Sequence, residues 1–193
     1  ISMLGALVAL IGLPHAEGLK AAMVGVLAHA LYKCTLFLVA GAVDHGTGTR
    51  NINELGGLRK FMPGFAIVAL IAALSMAGVP PLIGFVAKET LIDAVLTMPV
   101  ALIIVLVSAA FTVTVALRLF VEVFLDRPHI PLPQNEHLDH DAHHPLGDDA
   151  YDYSHFHTLP RGMVIGPAML AALSIITGVG VSQLVPPLIQ PAL

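Results

Sequence analysis

Residues 67–96, from Ile67 to Leu96, read IVALIAALSMAGVPPLIGFVAKETLIDAVL. The run is apolar almost throughout. Gly78, Pro80, Pro81 and Gly84 interrupt it, and Lys88 and Glu89 follow the interruption. A water-soluble core has no use for this combination. Inside a bilayer it has one, because a helix broken within the hydrocarbon frees backbone groups and brings a helix end to a buried charge.

The composition places that stretch in its setting. The chain has 193 residues, 56% hydrophobic and only 11% charged, where an ordinary soluble domain carries about 25% charged residues. The apolar residues fall in long blocks and not in amphipathic stripes. The reading is an all-α integral membrane protein, a bundle of transmembrane helices with one broken helix at about 78–82. The net charge of −4 is unevenly spread: Asp126 to Asp152 holds seven of the thirteen acidic residues and five of the ten histidines. No basic patch with interleaved aromatics exists, so no nucleic-acid partner is expected. Cys34 is the single cysteine; it forms no internal disulfide and reads as a small packing residue. The chain opens at Ile1 within an apolar run, without a basic flank, so this is not a signal peptide. Both ends read as cut, which makes the chain a single membrane-domain fragment.

Residues 1–13 are too short to cross ~30 Å of hydrocarbon and read as the tail of a longer helix. His15 and Glu17 belong to a turn at an interface, with His15 solvated. Residues 19–43 form the first full span, with His29 and Lys33 near its middle and four apart, hence on one face. A lysine at mid-bilayer costs several kcal/mol unless it faces protein, water or a partner. Such a residue is either a structural lysine bonded to carbonyls or a proton site. Amines in hydrocarbon release a proton more readily than amines in water, and a neighbouring imidazole can accept it or pass it on.

Residues 44–61 form a polar loop in which Arg50, Arg59 and Lys60 outweigh Asp44 and Glu54. The positive-inside rule makes this loop cytoplasmic, in a multi-pass protein of the cell membrane. Its glycines do not have the spacing of a phosphate loop. His45, at the helix exit, is either a cap or the outer end of a proton path. Residues 62–98 exceed one simple span. They read as helix 62–77, an unwound link at 78–82 and helix 83–98, with Pro81 in the first turn of the second half. Lys88 lies in the early turns of that half, where the positive end of the helix dipole works against its charged form. Glu89 is beside it, and Asp93 is one turn beyond Glu89. Titratable groups at a helix break mark a functional site. The alternative is two short spans with Lys88 and Glu89 as a boundary pair, for which 16 residues is short.

Residues 99–125 form a further span, with Ser108, Thr112 and Thr114 as mild polar residues and Arg118 and Glu122 as a structural pair. Residues 126–160 are a loop dense in His and Asp. Its His137, His140, His143 and His144 match no tetrahedral zinc spacing, so no metal and no cofactor is expected. Residues 161–185 form the last span, ended by Pro186, Pro187 and Pro191. The two loops lie on one side of the membrane if the broken element crosses once, and on opposite sides if it crosses twice.

Three strings carry a resemblance. The first is His29-Ala30-Leu31-Tyr32-Lys33 with Leu36-Phe37-Leu38 and Gly41. The second is His45-Gly46-Thr47-Gly48-Thr49-Arg50 with Leu55-Gly56-Gly57-Leu58. The third is Ser75-Met76-Ala77-Gly78-Val79-Pro80-Pro81 with Gly84-Phe85 and Lys88-Glu89. In this order the chain resembles the proton-translocating antiporter-type subunits shared by Mrp-type multisubunit sodium/proton antiporters and the membrane arm of respiratory complex I. It is most similar to the large A-type subunit of the Mrp antiporters. The resemblance implies a bundle of about fourteen helices built from two inverted repeats, of which this chain holds the later ones. It assigns Lys33 and His29 to a central hydrophilic axis and Lys88 to the end of a proton half-channel. It implies partners: the other membrane subunits of a hetero-oligomeric complex, the lipid bilayer, protons and monovalent cations. The upstream Glu–Lys pair of the family is absent here. A further histidine that the family often has one turn before His29 is Gly25 in this chain, which suggests that water fills the gap.

The expected function is proton relay through Lys33, His29, Lys88 and Glu89, with His45 and Asp93 as path ends, coupled to exchange of sodium or another monovalent cation. At ~10 Å and an effective dielectric near 20, two charged lysines repel by about 1.5 kcal/mol, enough to bias a relay without trapping a proton. The competing readings are a redox-driven pump subunit of a complex I-like or membrane hydrogenase assembly, a non-transporting helix bundle, and a metalloprotein using the histidine-rich loop. No nucleophilic triad or catalytic carboxylate pair stands out, so no enzyme site is expected.

Overall fold

A computed structural model describes residues 2–13, 16–126, 160 and 162–189, with side chains between 3 and 180. His15 and the histidine-rich segment 127–159 lie outside the described residues. Among the described residues six α-helices carry the fold: α1 (Ser2–Ile11), α2 (Ala16–Thr47), α3 (Pro63–Ala77), α4 (Ile83–Val95), α5 (Pro99–Phe120) and α6 (Gly162–Ile189). No strand occurs among the described residues.

Helix α2 is the axis of the bundle and packs against α1, α3, α4 and α6. Small residues make this possible: Gly18, Ala21, Ala22, Gly25 and Ala28 are buried along it and let neighbouring helices approach closely. At 1.5 Å per residue its 32 residues measure about 48 Å, and His29 and Lys33 straddle its midpoint. The sequence reading ends this helix at 43, whereas it runs to Thr47. Polar residues do not stop a helix that leaves hydrocarbon for the interface, and Thr47 Oγ1 donates to the Val43 carbonyl at 2.7 Å within the last turn. The chain turns only at Gly48.

The break falls between α3 and α4. Alone, these helices of 15 and 13 residues reach about 22 and 20 Å, too short to span ~30 Å of hydrocarbon; their combined length is that of a bilayer with its headgroup regions. The link is 78–82. The Pro80–Pro81 bond is cis, and Leu82 is the N-cap of α4. Pro81 therefore precedes the second half-helix and does not sit in its first turn. Gly84, grouped with the break in the sequence reading, belongs to α4 itself. Helix α4 stops at Val95, not 98, because Pro99 opens α5. Helix α5 continues into a π-helical turn at Val121–Leu125, where Phe120 stacks on Phe124. Helix α6 runs past Pro186 and Pro187 to Ile189, beyond the end at 185 that the sequence reading gives it.

Among the described residues, three helices are long and apolar enough to cross a membrane: Ala16–Thr47, Pro99–Leu125 and Gly162–Gly180. The chain is an all-α multi-pass membrane protein with one broken helix. A buried cluster of Ala28, Leu31, Tyr32, Ala72, Ile83, Val86 and Ala87 packs α2, α3 and α4 together at the level of the break.

Candidate functional site

The break is held shut by backbone contacts. A Cβ at Gly84 would lie 1.7 Å from the Ser75 carbonyl oxygen, so only glycine lets the start of α4 meet the end of α3. Helix α6 closes on the link from the other side, where a Cβ at Gly178 would lie 2.2 Å from the Pro81 carbonyl oxygen. Ser75 and Ser174, both buried, are joined through their hydroxyls at 3.1 Å, which ties α3 to α6.

Lys88 uses this architecture. Its Nζ donates to the Ala77 carbonyl at 2.7 Å, reaching back over the link to the last residue of α3. That carbonyl has no partner within its own helix. The sequence reading placed Lys88 against the positive end of α4. In the structure its amine meets the negative end of α3, the end that favours an ammonium. Gly78 makes room for this contact. It caps α3 in the left-handed region, at φ 81°, and a Cβ there would lie 2.6 Å from Lys88 Cδ.

Lys88 also lines a cavity of about 500 Å³. Tyr32, Ser75, Ser108 and Thr112 are the other side-chain hydroxyl or amine groups on its wall, which is otherwise mostly apolar. Lys33 lies elsewhere. It lines a separate cavity of about 150 Å³ with Phe37, Ala73 and Val115, and among the described residues it has no hydrogen-bond partner. Met76 lines both cavities. The two lysines thus occupy separate compartments with one methionine common to their walls.

His29 is joined to this system through Tyr32. Its Nδ1 lies 3.0 Å from the Tyr32 hydroxyl, and the rings meet edge to face with centroids 5.4 Å apart. Tyr32 is buried and lines the larger cavity. Leu7 of α1 packs beside Gly25, its Cδ2 2.4 Å from where a Cβ would stand.

Glu89 and Asp93 are exposed on the described chain. Helical geometry accounts for this, since successive residues turn by about 100° and the face shared with Lys88 falls to i+3 and i+4. Those are Leu91 and Ile92, and both line the cavity. His45 is exposed in the last turn of α2. Beyond it, Asp44 pairs with Arg50 at 2.8 Å, and Glu54 accepts from Thr49 Oγ1 at 2.6 Å and Asn51 Nδ2 at 2.7 Å. Those two bonds, Thr49's above all, hold the Glu54 carboxyl below its ordinary value. Among the described residues no group of three or more His, Cys, Asp or Glu side chains is arranged to hold a metal.

Tyr32 and the Ser75–Ser174 pair are absent from the sequence-based candidates. Tyr32 stood inside the His29–Lys33 string and was legible there, three residues from His29 and so on its face. The serine pair, 99 residues apart in sequence, carries no local signal.

Residues 1–114 match the NADH:quinone oxidoreductase/Mrp antiporter transmembrane family. The chain belongs to that family. The matched segment holds α1 to α4, both lysines and the break. Over 144 residues the chain is 39% identical to the A/B subunit of a probable K(+)/H(+) antiporter of Rhizobium meliloti (strain 1021), covering 71% of this chain and 14% of that protein. Over 217 residues it is 30% identical to the A1 subunit of a Na(+)/H(+) antiporter of Staphylococcus aureus (strain JH9), covering 100% of this chain and 25% of that protein. Among solved structures, the Mrp complex from Dietzia sp. DQ12-45-1b superposes with a TM-score of 0.70 at 31% identity, over 96% of this chain and 18% of that one. An archaeal membrane-bound sulfane sulfur reductase, a respiratory membrane complex, superposes with a TM-score of 0.73 at 28% identity, over 91% and 26%. The chain spans about a quarter or less of the length of these relatives.

Proposed function

We propose that this chain is part of a proton-conducting subunit of a multisubunit monovalent cation/proton antiporter, relaying protons through buried lysine and histidine. The observation that carries this reading is Lys88: an amine at a helix break, bonded to a helix-end carbonyl at 2.7 Å and facing a 500 Å³ cavity. The carbonyl and the dipole of α3 hold the amine in place, and the cavity gives it somewhere to deliver a proton. Lys33, in its own cavity, is the neighbouring station, and His29 is the group between stations. His45, at the exposed end of α2, is one path end, and Asp93 on α4 is the other; Glu89 tunes the field beside Lys88 from the outer face. The loop following α2 faces the cytoplasm of the cell that carries the complex, on the balance of Arg50, Arg59 and Lys60 over Asp44 and Glu54. The partners are the other membrane subunits of the antiporter, and the exchanged ion is sodium or another monovalent cation.

The test is proton flux in proteoliposomes holding the complete complex. Lys88→Ala abolishes cation-dependent flux and leaves assembly intact. Wild-type flux in that variant would refute the reading.

The likeness to a respiratory membrane complex supports a second reading, a redox-driven pump subunit. Redox-active iron–sulfur subunits co-purifying with the chain would favour it; a complex free of them, driven by a cation gradient, favours the antiporter.

A further inference from the structure

Resting on the relay just proposed, we infer that the Tyr32 hydroxyl is the group through which His29 exchanges protons with the cavity that holds Lys88. Three observations carry this. His29 Nδ1 lies 3.0 Å from the phenol oxygen. Tyr32 is 5% exposed, so the phenol itself is shielded from bulk water. Tyr32, not His29, is on the wall of the 500 Å³ cavity together with Lys88 and Ser75. Among the described residues, the phenol is the hydrogen-bonded link between the histidine and the cavity wall.

The chemistry suits a hand-over group. A phenol donates one hydrogen bond while accepting another. When His29 carries a proton on Nδ1, that proton passes to the phenol oxygen as the phenol's own proton leaves to a water in the cavity. One O–H bond forms as another breaks, and the phenol stays neutral. The phenol O–H then turns back toward the histidine for the next transfer. Transfer in the other direction is the reverse of the same step. The edge-to-face ring contact, 5.4 Å between centroids, keeps the two side chains from drifting apart between transfers. Placement three residues apart on one α-helix fixes the pair without help from any other element.

Tyr32→Phe deletes the hydroxyl and keeps the ring, so the packing around Ala28, Leu31 and Ile83 survives. In the complete complex in proteoliposomes, proton flux falls by about a hundredfold or more, the scale of a lost proton-transfer group. In the His29→Ala background the same change costs nothing further, since both act on one link. Replacing Tyr32 with a ring-fluorinated tyrosine, the same in shape but more acidic, changes the flux rate. A hydroxyl that merely propped the histidine would leave that rate unchanged, and such a result overturns the inference. Wild-type flux in Tyr32→Phe alongside a dead Lys88→Ala overturns it too, and leaves the lysine relay standing. Wild-type flux in Lys88→Ala removes the relay and this inference with it.

Discussion

The broken element and α5 have similar compositions and opposite fates. Residues 63–95 and 99–120 are both apolar, yet in the first Phe65, Ala69, Ala72, Ala73, Ile83 and Ala87 are all buried, while in α5 only Ala116 is. The most apolar window of the α5 span is 6% buried, and Val100, Ile103 and Phe111 stand out from the bundle. Hydrophobicity alone does not decide which helix enters a membrane bundle, because lipid is as good a solvent for Ile or Phe as protein is. Small residues and hydrogen bonds decide. The broken element has Gly78, Gly84, Ser75 and a lysine bonded to a carbonyl of the other half; on α5 the Thr112 and Thr114 hydroxyls bond back to their own helix, and Val100, Ile103 and Ile104 face outward.

Substitutions that erase this difference test it. Gly84→Ala has the largest effect, because the added carbon meets a backbone oxygen and not a side chain that can swing away. Overpacking costs about 1–3 kcal/mol where repacking is possible, and more where it is not, so thermal unfolding of the purified complex shows lost assembly. Next comes Gly78→Ala. Its left-handed backbone costs about 1–2 kcal/mol, while the clash with Lys88 falls on a flexible chain; assembly survives at lower melting temperature and flux drops as the amine leaves Ala77. Ser75→Ala follows, leaving Ser174 without its partner at about 0.6 kcal/mol, the average for polar contacts between membrane helices. Smallest are Ile103→Leu and Phe111→Leu on α5, which change stability by less than about 0.5 kcal/mol and leave flux alone. A large loss there would show that this face meets another protein of the complex, and the comparison with the broken element would have to be redrawn.

The break was legible because Gly and Pro act locally: Pro80 and Pro81 withhold two successive backbone donors, and Gly78 readily takes the left-handed turn that ends α3. Lys33 and Lys88 were legible because charge in hydrocarbon demands a reason. Three things depended on contacts between distant residues and were not legible. The partner of Lys88 is a carbonyl on the preceding helix, so the dipole it meets has the opposite sign from the one nearest in sequence. Leu7 fills the space beside Gly25 from α1, where water was expected. Met76 lies on the walls of both lysine cavities without any mark in its own sequence context. Glu89 and Asp93 are a different case, since their angular distance from Lys88 along α4 was already contained in the helical repeat.

The central claim is that Lys88 hands over a proton, not merely that a positive charge is needed at the break. Lys88→Arg separates these, because arginine keeps the charge and a donor for the Ala77 carbonyl but does not deprotonate in a protein. Proton flux through the assembled complex carrying Lys88→Arg is predicted to fall to the level of Lys88→Ala. Flux at the wild-type level in Lys88→Arg would contradict the account.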